Sequence, residues 1–495
     1  VNLQASAASC ALTIGGGTGT DLDVPSGCTL TLSGTSTNTA TLAYSGTGNV
    51  ASIGGTLNLG SGAGTGTISY AFANAVTTVD GTVNSGTSTA AATVSSASAT
   101  LLFVNGTWNH TQNGGTLPTA TYALTSNVNV TGIVGTAPTP PATIGGNFTW
   151  NSAGQTGTAL SLVSTLTTIG GTCTIQSTGS GSMQFGTSPT LAVAGLATVS
   201  GGTVLAAGGT LNFNGGLTLS GGSISALVGA STTSINVNGN YTQNGGTLTS
   251  ATTGTSISLN VTGTFNQSAG TISQSSTGSL AIGFNGSVVK AVTLSGTNTT
   301  GKINYTINNG NGNGITLAGT LNINGGATLT TSIGGTSVTG GTVSYAATGA
   351  LIYNAATATQ AAGDEWPAVN GPTSVTINNT HTTPDVSLSA SRTLSGTLTL
   401  TAGRILLGAN DLTLANGGTL TVTTPGATKM IVTDGAGLFK RGIPATTGTY
   451  LFPIGETTGV TQYSPVTLQF TANSTVRVIG AKVIDASSAN LNTPA

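Results

Sequence analysis

The chain has 495 residues, of which 9 are Lys or Arg and 10 are Asp or Glu, giving a formal net charge of −1. A charged fraction of 4%, against roughly 25% in an ordinary soluble domain, excludes an electrostatic reader of nucleic acid and a basic membrane-surface binder. Glycine, at 77 residues without a three-residue period, excludes collagen, and three cysteines exclude a disulfide scaffold.

The chain opens at Val1 with no basic segment ahead of an apolar one, which reads as a mature or trimmed chain whose export signal is absent. No apolar run approaches the roughly 20 residues that a membrane-spanning helix needs. Gly16-Gly17-Thr18-Gly19-Thr20-Asp21-Leu22 fits the calcium-binding repeat G-G-x-G-x-D-x-U, with Asp21 and Asp23 as weak candidate ligands. Such rolls bind calcium between successive copies. A single copy in a glycine-rich chain reads as an ordinary turn, so no cofactor is expected. Cys10 and Cys28 flank this turn, and in an exported protein they are expected to form a disulfide that staples the first coil. Cys173 reads as a small buried hydrophobe.

From Thr29 onward, apolar and polar residues alternate in short runs: Thr29–Leu32, Thr56–Leu59, Thr218–Ser220, Thr320–Ile323, Thr397–Leu400 and Thr419–Val422. Period two, with Thr and aliphatics, predicts half-buried strands, and the Gly-Gly pairs between the runs predict tight corners. Asn240–Leu248 matches Trp108–Leu117 with one extra residue near His110, and Thr264–Ile272 echoes it 24 residues later. A repeat of roughly 20–25 residues made only of strand and turn predicts an all-β fold, a β-solenoid (β-helix) whose coils bury Leu, Ile and Val against one another. About 20 coils at strand spacing would make a rod of about 90–100 Å, with the repeat aromatics stacked along one wall.

The expected organisation is a solenoid over 1–362, a loop excursion over 363–372, a solenoid continuation over 373–425 and a small, truncated β module over 426–495. In the excursion, Gly363-Asp364-Glu365-Trp366-Pro367 breaks the pattern, and its acid pair reads as a solvated loop tip. His110 and His381 lie 271 positions apart without clustered partners and read as polar turn or surface residues. Sequons such as Asn105, Asn147, Asn260, Asn298 and Asn473 arise from composition. The pairs Asp21/Asp23 and Asp364/Glu365 stand alone, whereas glycoside chemistry needs several acidic and basic groups in one groove; no enzyme is expected.

Residues 343–485 resemble a recurring segment of large secreted surface proteins of Bacteroidota, many exported by the type IX route. The resembling stretches are Gly349–Asn354, Gly363–Pro367, Val375–Asn379, Gly396–Thr401, Leu451–Gly455 and Tyr463–Leu468. The resemblance covers about a third of the chain and transfers no catalytic residue. It implies an extracellular, cell-surface, non-enzymatic rod, and it implies that the polypeptide continues past Ala495.

Charge placement adds a second functional clue. Residues 81–289 carry no Asp, Glu, Lys or Arg, and all nine basic residues lie from Lys290 onward. A surface without charge has little to oppose self-association. The expected function is a self-assembling subunit of a surface fibre or sheath, with the protein itself as partner. The alternative is an adhesin stalk that binds a surface glycan, with ice binding on Thr-x-Thr runs further behind. Alternation places Thr218 and Thr242 outward on the central strands.

Overall fold

The computed structural model describes residues 1–484 apart from 6–7, 35–36, 61–65, 88–90, 96, 163–164, 230–231, 251–255, 275–276, 310–313, 357 and 384. Every regular element among the described residues is a β-strand, and they build a parallel β-solenoid of about 17 turns, somewhat fewer than the spacing predicts. No helix among them is long and apolar enough to cross a membrane. The chain divides into two compact units, Val1–Gly263 with Gln267–Gly278, and Thr264–Asn266 with Ser279–Ala495.

In the first unit most coils carry strands on three walls, while those that begin at Thr107 and Asn127 carry strands on two. Thr29–Gly34, Ala40–Ser45 and Asn49–Ile53 make one circuit, and Thr56–Leu59 then returns beside the first strand in parallel, Leu30 opposite Leu57. The alternation is what closes the circuit. Residues of one parity point inward, where Leu57, Val83, Trp108, Val128, Phe148, Cys173, Ala197, Leu217 and Tyr241 form one buried column. Each large apolar side chain so buried contributes about 1.5–3 kcal/mol. The aromatics share this column as expected, but aliphatic residues, Cys173 and Ala197 separate them, so they do not stack on one another there. Cys173 is buried, and its thiol is pushed up to about 12 by burial.

Corners are set by glycine for two different reasons. At Gly81 a Cβ would lie 2.0 Å from the Gly55 carbonyl oxygen of the preceding coil, so the demand is close backbone approach. At Gly202 the demand is conformational, with φ at +71°.

In the second unit one wall runs through Ser279–Gly286, Ile303–Asn309, Thr328–Thr331, Ala350–Tyr353, Ser374–Asn378, Thr397–Ala402 and Thr419–Val422, all parallel. Phe284 and Tyr305 stack on this wall at 6.3 Å between ring centres. The expected boundary at 426 is not where parallel stacking stops. Ile431–Val432 pairs with Arg404–Leu406, and Ile454–Glu456 pairs with Ile431–Val432, because Ile431, Phe439, Ile443 and Ile454 keep supplying inward apolar residues. Among the described strands, antiparallel pairs all include one of the last strands, after an isolated antiparallel bridge between Gly426 and Lys429. Arg477–Ala481 lies against Phe439–Ile443, Gly448–Phe452 against Val466–Phe470, and Gln462–Tyr463 against Ile454–Glu456.

The excursion over 363–372 contains no strand. Its acid pair is not a solvated tip. Asp364 is exposed, but Glu365 and Trp366 are both 0% exposed. Trp366 is too large and apolar to leave in water, and tucking it against Tyr353 draws the preceding residue into the coil with it.

Candidate interaction surface

The outward parity of the first wall builds a continuous polar row. In register it runs Thr31, Asn58, Asn84, Asn109, Asn129, Thr149, Thr174, Thr198, Thr218, Thr242. Each side chain sits one strand spacing from the next, about 4.8 Å. Thr218 and Thr242 therefore face outward as alternation predicts, with Leu217, Leu219 and Tyr241 buried behind them.

Over the first coils the row is an amide ladder. Asn84 Nδ2 donates to Asn58 Oδ1 at 2.7 Å, Asn109 to Asn84 at 2.7 Å, and Asn129 to Asn109 at 2.9 Å. A second ladder stands on the third wall, where Asn236 donates to Asn212 at 2.9 Å and Asn260 to Asn236 at 3.1 Å. Each ladder bond uses one N–H and one carbonyl lone pair, which leaves the other amide hydrogen and lone pair facing outward. Sequence reasoning dwelt on threonine and missed these ladders. Their signal was present as asparagines at 58, 84, 109 and 129, all two positions from a strand's first polar residue.

The row carries no charge and no nucleophile with a base beside it. Its chemistry is hydrogen bonding through hydroxyls and amides. Asp80, four residues before Asn84, sits at a corner and accepts from Asn105 Nδ2 at 2.8 Å.

The other predicted site residues fall apart in space. Asp21 uses both carboxylate oxygens on backbone amides, Oδ1 for Gly17 N and Oδ2 for Val50 N, each at 2.9 Å. It thus ties the turn to the next coil. Asp23 is exposed on the strand Leu22–Val24. Among the described residues no three of His, Cys, Asp and Glu gather as a metal site would require.

The expected Cys10–Cys28 disulfide is not formed, and all three cysteines are free thiols. Cys10 opens the second wall of the first coil, whereas Cys28 immediately precedes the first wall of the next. The six-residue strand Thr29–Gly34 spans the difference, about 20 Å of extended chain, against under about 7 Å between the Cα atoms of a bridged pair.

His110 is also a correction. It is buried on Thr107–His110, with the same parity as Trp108, and its Nε2 is 2.6 Å from the Gly114 carbonyl oxygen. Burial pushes its pKa below the usual imidazole value, with the Gly114 contact opposing this in part. His381 is partly exposed in a turn, its Nδ1 3.0 Å from Thr383 Oγ1. Its neighbour Asp385 instead takes a bidentate pair from Arg404 at 2.5 and 2.9 Å.

Some of the second unit's charge is paired or stacked on rings. Lys440 pairs with Asp411, and the Arg441 guanidinium lies over Tyr450 at 5.5 Å and over Phe452 at 6.0 Å.

No protein-family model matches the chain, and no curated protein or solved structure matches it.

Proposed function

We propose that the protein is an extracellular structural protein, a non-enzymatic subunit that self-assembles into a cell-surface fibre or sheath. The observation that carries this reading is the charge-free span 81–289, folded so that the outward row of its first wall offers only hydroxyls and amides. Two such faces meet without like-charge repulsion and without the cost of stripping water from ions. The resemblance of residues 343–485 to secreted surface proteins of Bacteroidota supports the same location and role.

The test places charge on the row. In T218K/T242K two ammonium groups would stand one coil apart on the outward face. The expected result is loss of assembly by analytical sedimentation, with the β-sheet circular dichroism of the parent retained. A parent that stays a stable monomer, together with a variant that sediments as the parent does, would overturn the reading.

A second reading has its own observation. The unbroken row of outward amides and hydroxyls at strand spacing is also a surface on which a glycan could hydrogen-bond, which is the role of an adhesin stalk. A monomeric parent that is retained on immobilised polysaccharide, and loses retention in T218K/T242K, would favour it. An ice-ordering face has less behind it, because asparagine replaces threonine over the first coils of the row.

A further inference from the structure

The second unit holds a carboxyl group that the assembly reading does not use. Glu365 is 0% exposed. Its Oε1 accepts the Tyr353 hydroxyl at 2.8 Å and the Gly363 amide at 2.7 Å, while its Oε2 has no hydrogen-bond partner. Its main-chain carbonyl accepts the Tyr345 hydroxyl at 2.7 Å. The Trp366 ring packs on Tyr353 with 6.3 Å between centres, and the Asn370 carbonyl accepts the Tyr345 amide at 2.9 Å. The excursion is therefore pinned to the coil around one acid.

The ionisable and charged groups that face this acid are few. Tyr345 and Tyr353 are neutral phenols, held far from ionisation first by burial and then by Glu365 itself. Arg392 directs its terminal nitrogens to the carbonyl oxygens of Ser391 at 3.5 Å and Gly363 at 3.4 Å, and its Nε has no partner. Asp364 is exposed and accepts the Gly340 amide at 3.2 Å. The strands Gly335–Thr336, Val338–Thr339 and Gln360–Ala362 bring no ionisable side chain. Glu365 takes part in neither of the two ion pairs found among the described residues.

A buried carboxylate without a counter-ion is costly, whereas the neutral acid fits the site. We propose that the 363–372 excursion is a pH-controlled latch, shut while Glu365 is protonated and loosened when Glu365 ionises. Burial raises this carboxyl above the ordinary range near 4.5, while the Gly363 amide, its own amide, the Tyr353 hydroxyl and the Val338 amide oppose the shift. The latch then contributes fully below that ordinary value and weakens as the pH rises through the raised one. Release would free Trp366 and unpin the excursion from Tyr345 and Tyr353.

The test uses the full chain and E365Q, which keeps the side chain's shape and its acceptor for Tyr353 without a titrating group. Hydrogen exchange of residues 363–372, corrected for the intrinsic pH dependence of exchange, should lose at least about tenfold protection in the parent between about pH 5 and about pH 9. In E365Q it should stay level, as should the strand Thr233–Val237 in both proteins. A protonated-carboxyl infrared band should also persist in the parent above the ordinary carboxyl value near 4.5, which tests the idea even if E365Q does not fold. Equal pH responses in parent and variant, or loss of that band at the ordinary carboxyl value, would overturn the proposal.

Discussion

Gly81 shows how one residue constrains a coil. Its Cβ would meet the Gly55 oxygen at 2.0 Å, and a Cβ on Gly106 would meet the Gly81 oxygen at 2.1 Å, so the corner is a column of backbone against backbone. Main chain that is held in coil-to-coil hydrogen bonds cannot step aside as a flexible side chain can. Gly81 N donates to Ile53 O at 2.8 Å and Thr82 N to Gly55 O at 2.8 Å. G81A should therefore destabilise by about 1–3 kcal/mol, the range for forcing atoms into a filled site. At Gly17 an added Cβ would come no nearer than 3.7 Å to Asp21 Oδ1, and G17A should stay within about 0.5 kcal/mol of the parent. Denaturant midpoints of the two variants make the comparison. Equal midpoints would mean that the column can spread and that close approach is not what the glycine serves.

At the scale of the strand, asparagine ladders add side-chain bonds to the backbone ones. Asn84 donates to Asn58 and accepts from Asn109, so it holds two ladder bonds at 2.7 Å. N84A removes both and should cost about 1–2 kcal/mol, with N84T losing less, because the same row uses threonine from Thr149 onward. Thermal unfolding of the two variants checks the order, and N84T falling below N84A would argue against the ladder. The strands themselves were legible from period two, down to which of Thr218 and Leu219 faces out. The buried polar residues were not. His110 reads as a surface residue by its chemistry, but within Thr107–His110 it shares the parity of Trp108, and position in the pleat overrides polarity. Gln243 lies in the core for the same reason, two residues after Tyr241. Glu365 had no such cue, because no strand surrounds it and its burial follows from its neighbour Trp366. The cysteine pair failed at the corners, since separation along the sequence does not reveal which wall of a coil a residue starts.

For the molecule as a whole, the distribution of charge decides what can be cut and what can associate. Trypsin needs Lys or Arg, and the first of either is Lys290, so the chain up to that residue holds no tryptic site whatever its fold. The fold adds two expectations. Lys290 is 2% exposed on the strand Lys290–Leu294, so cleavage there should lag behind cleavage at an exposed residue such as Lys482. Proteinase K has abundant targets between 81 and 289 but needs an extended, unpaired segment to bind. Main-chain amides there are largely committed from coil to coil, as in Thr107 N to Gly81 O at 2.8 Å and Leu217 N to Asn240 O at 2.9 Å. Opening one strand to a protease would break bonds to the coils on both sides and expose part of the inward column. Limited digestion by proteinase K should therefore leave 81–289 within a large fragment for at least about ten times as long as the urea-unfolded chain survives under a matched protease activity. Fragment masses followed over time give the measurement. Rapid cleavage at many points inside 81–289 would mean that the coils open one by one, and a surface built from them could not hold the regular rows on which assembly is argued.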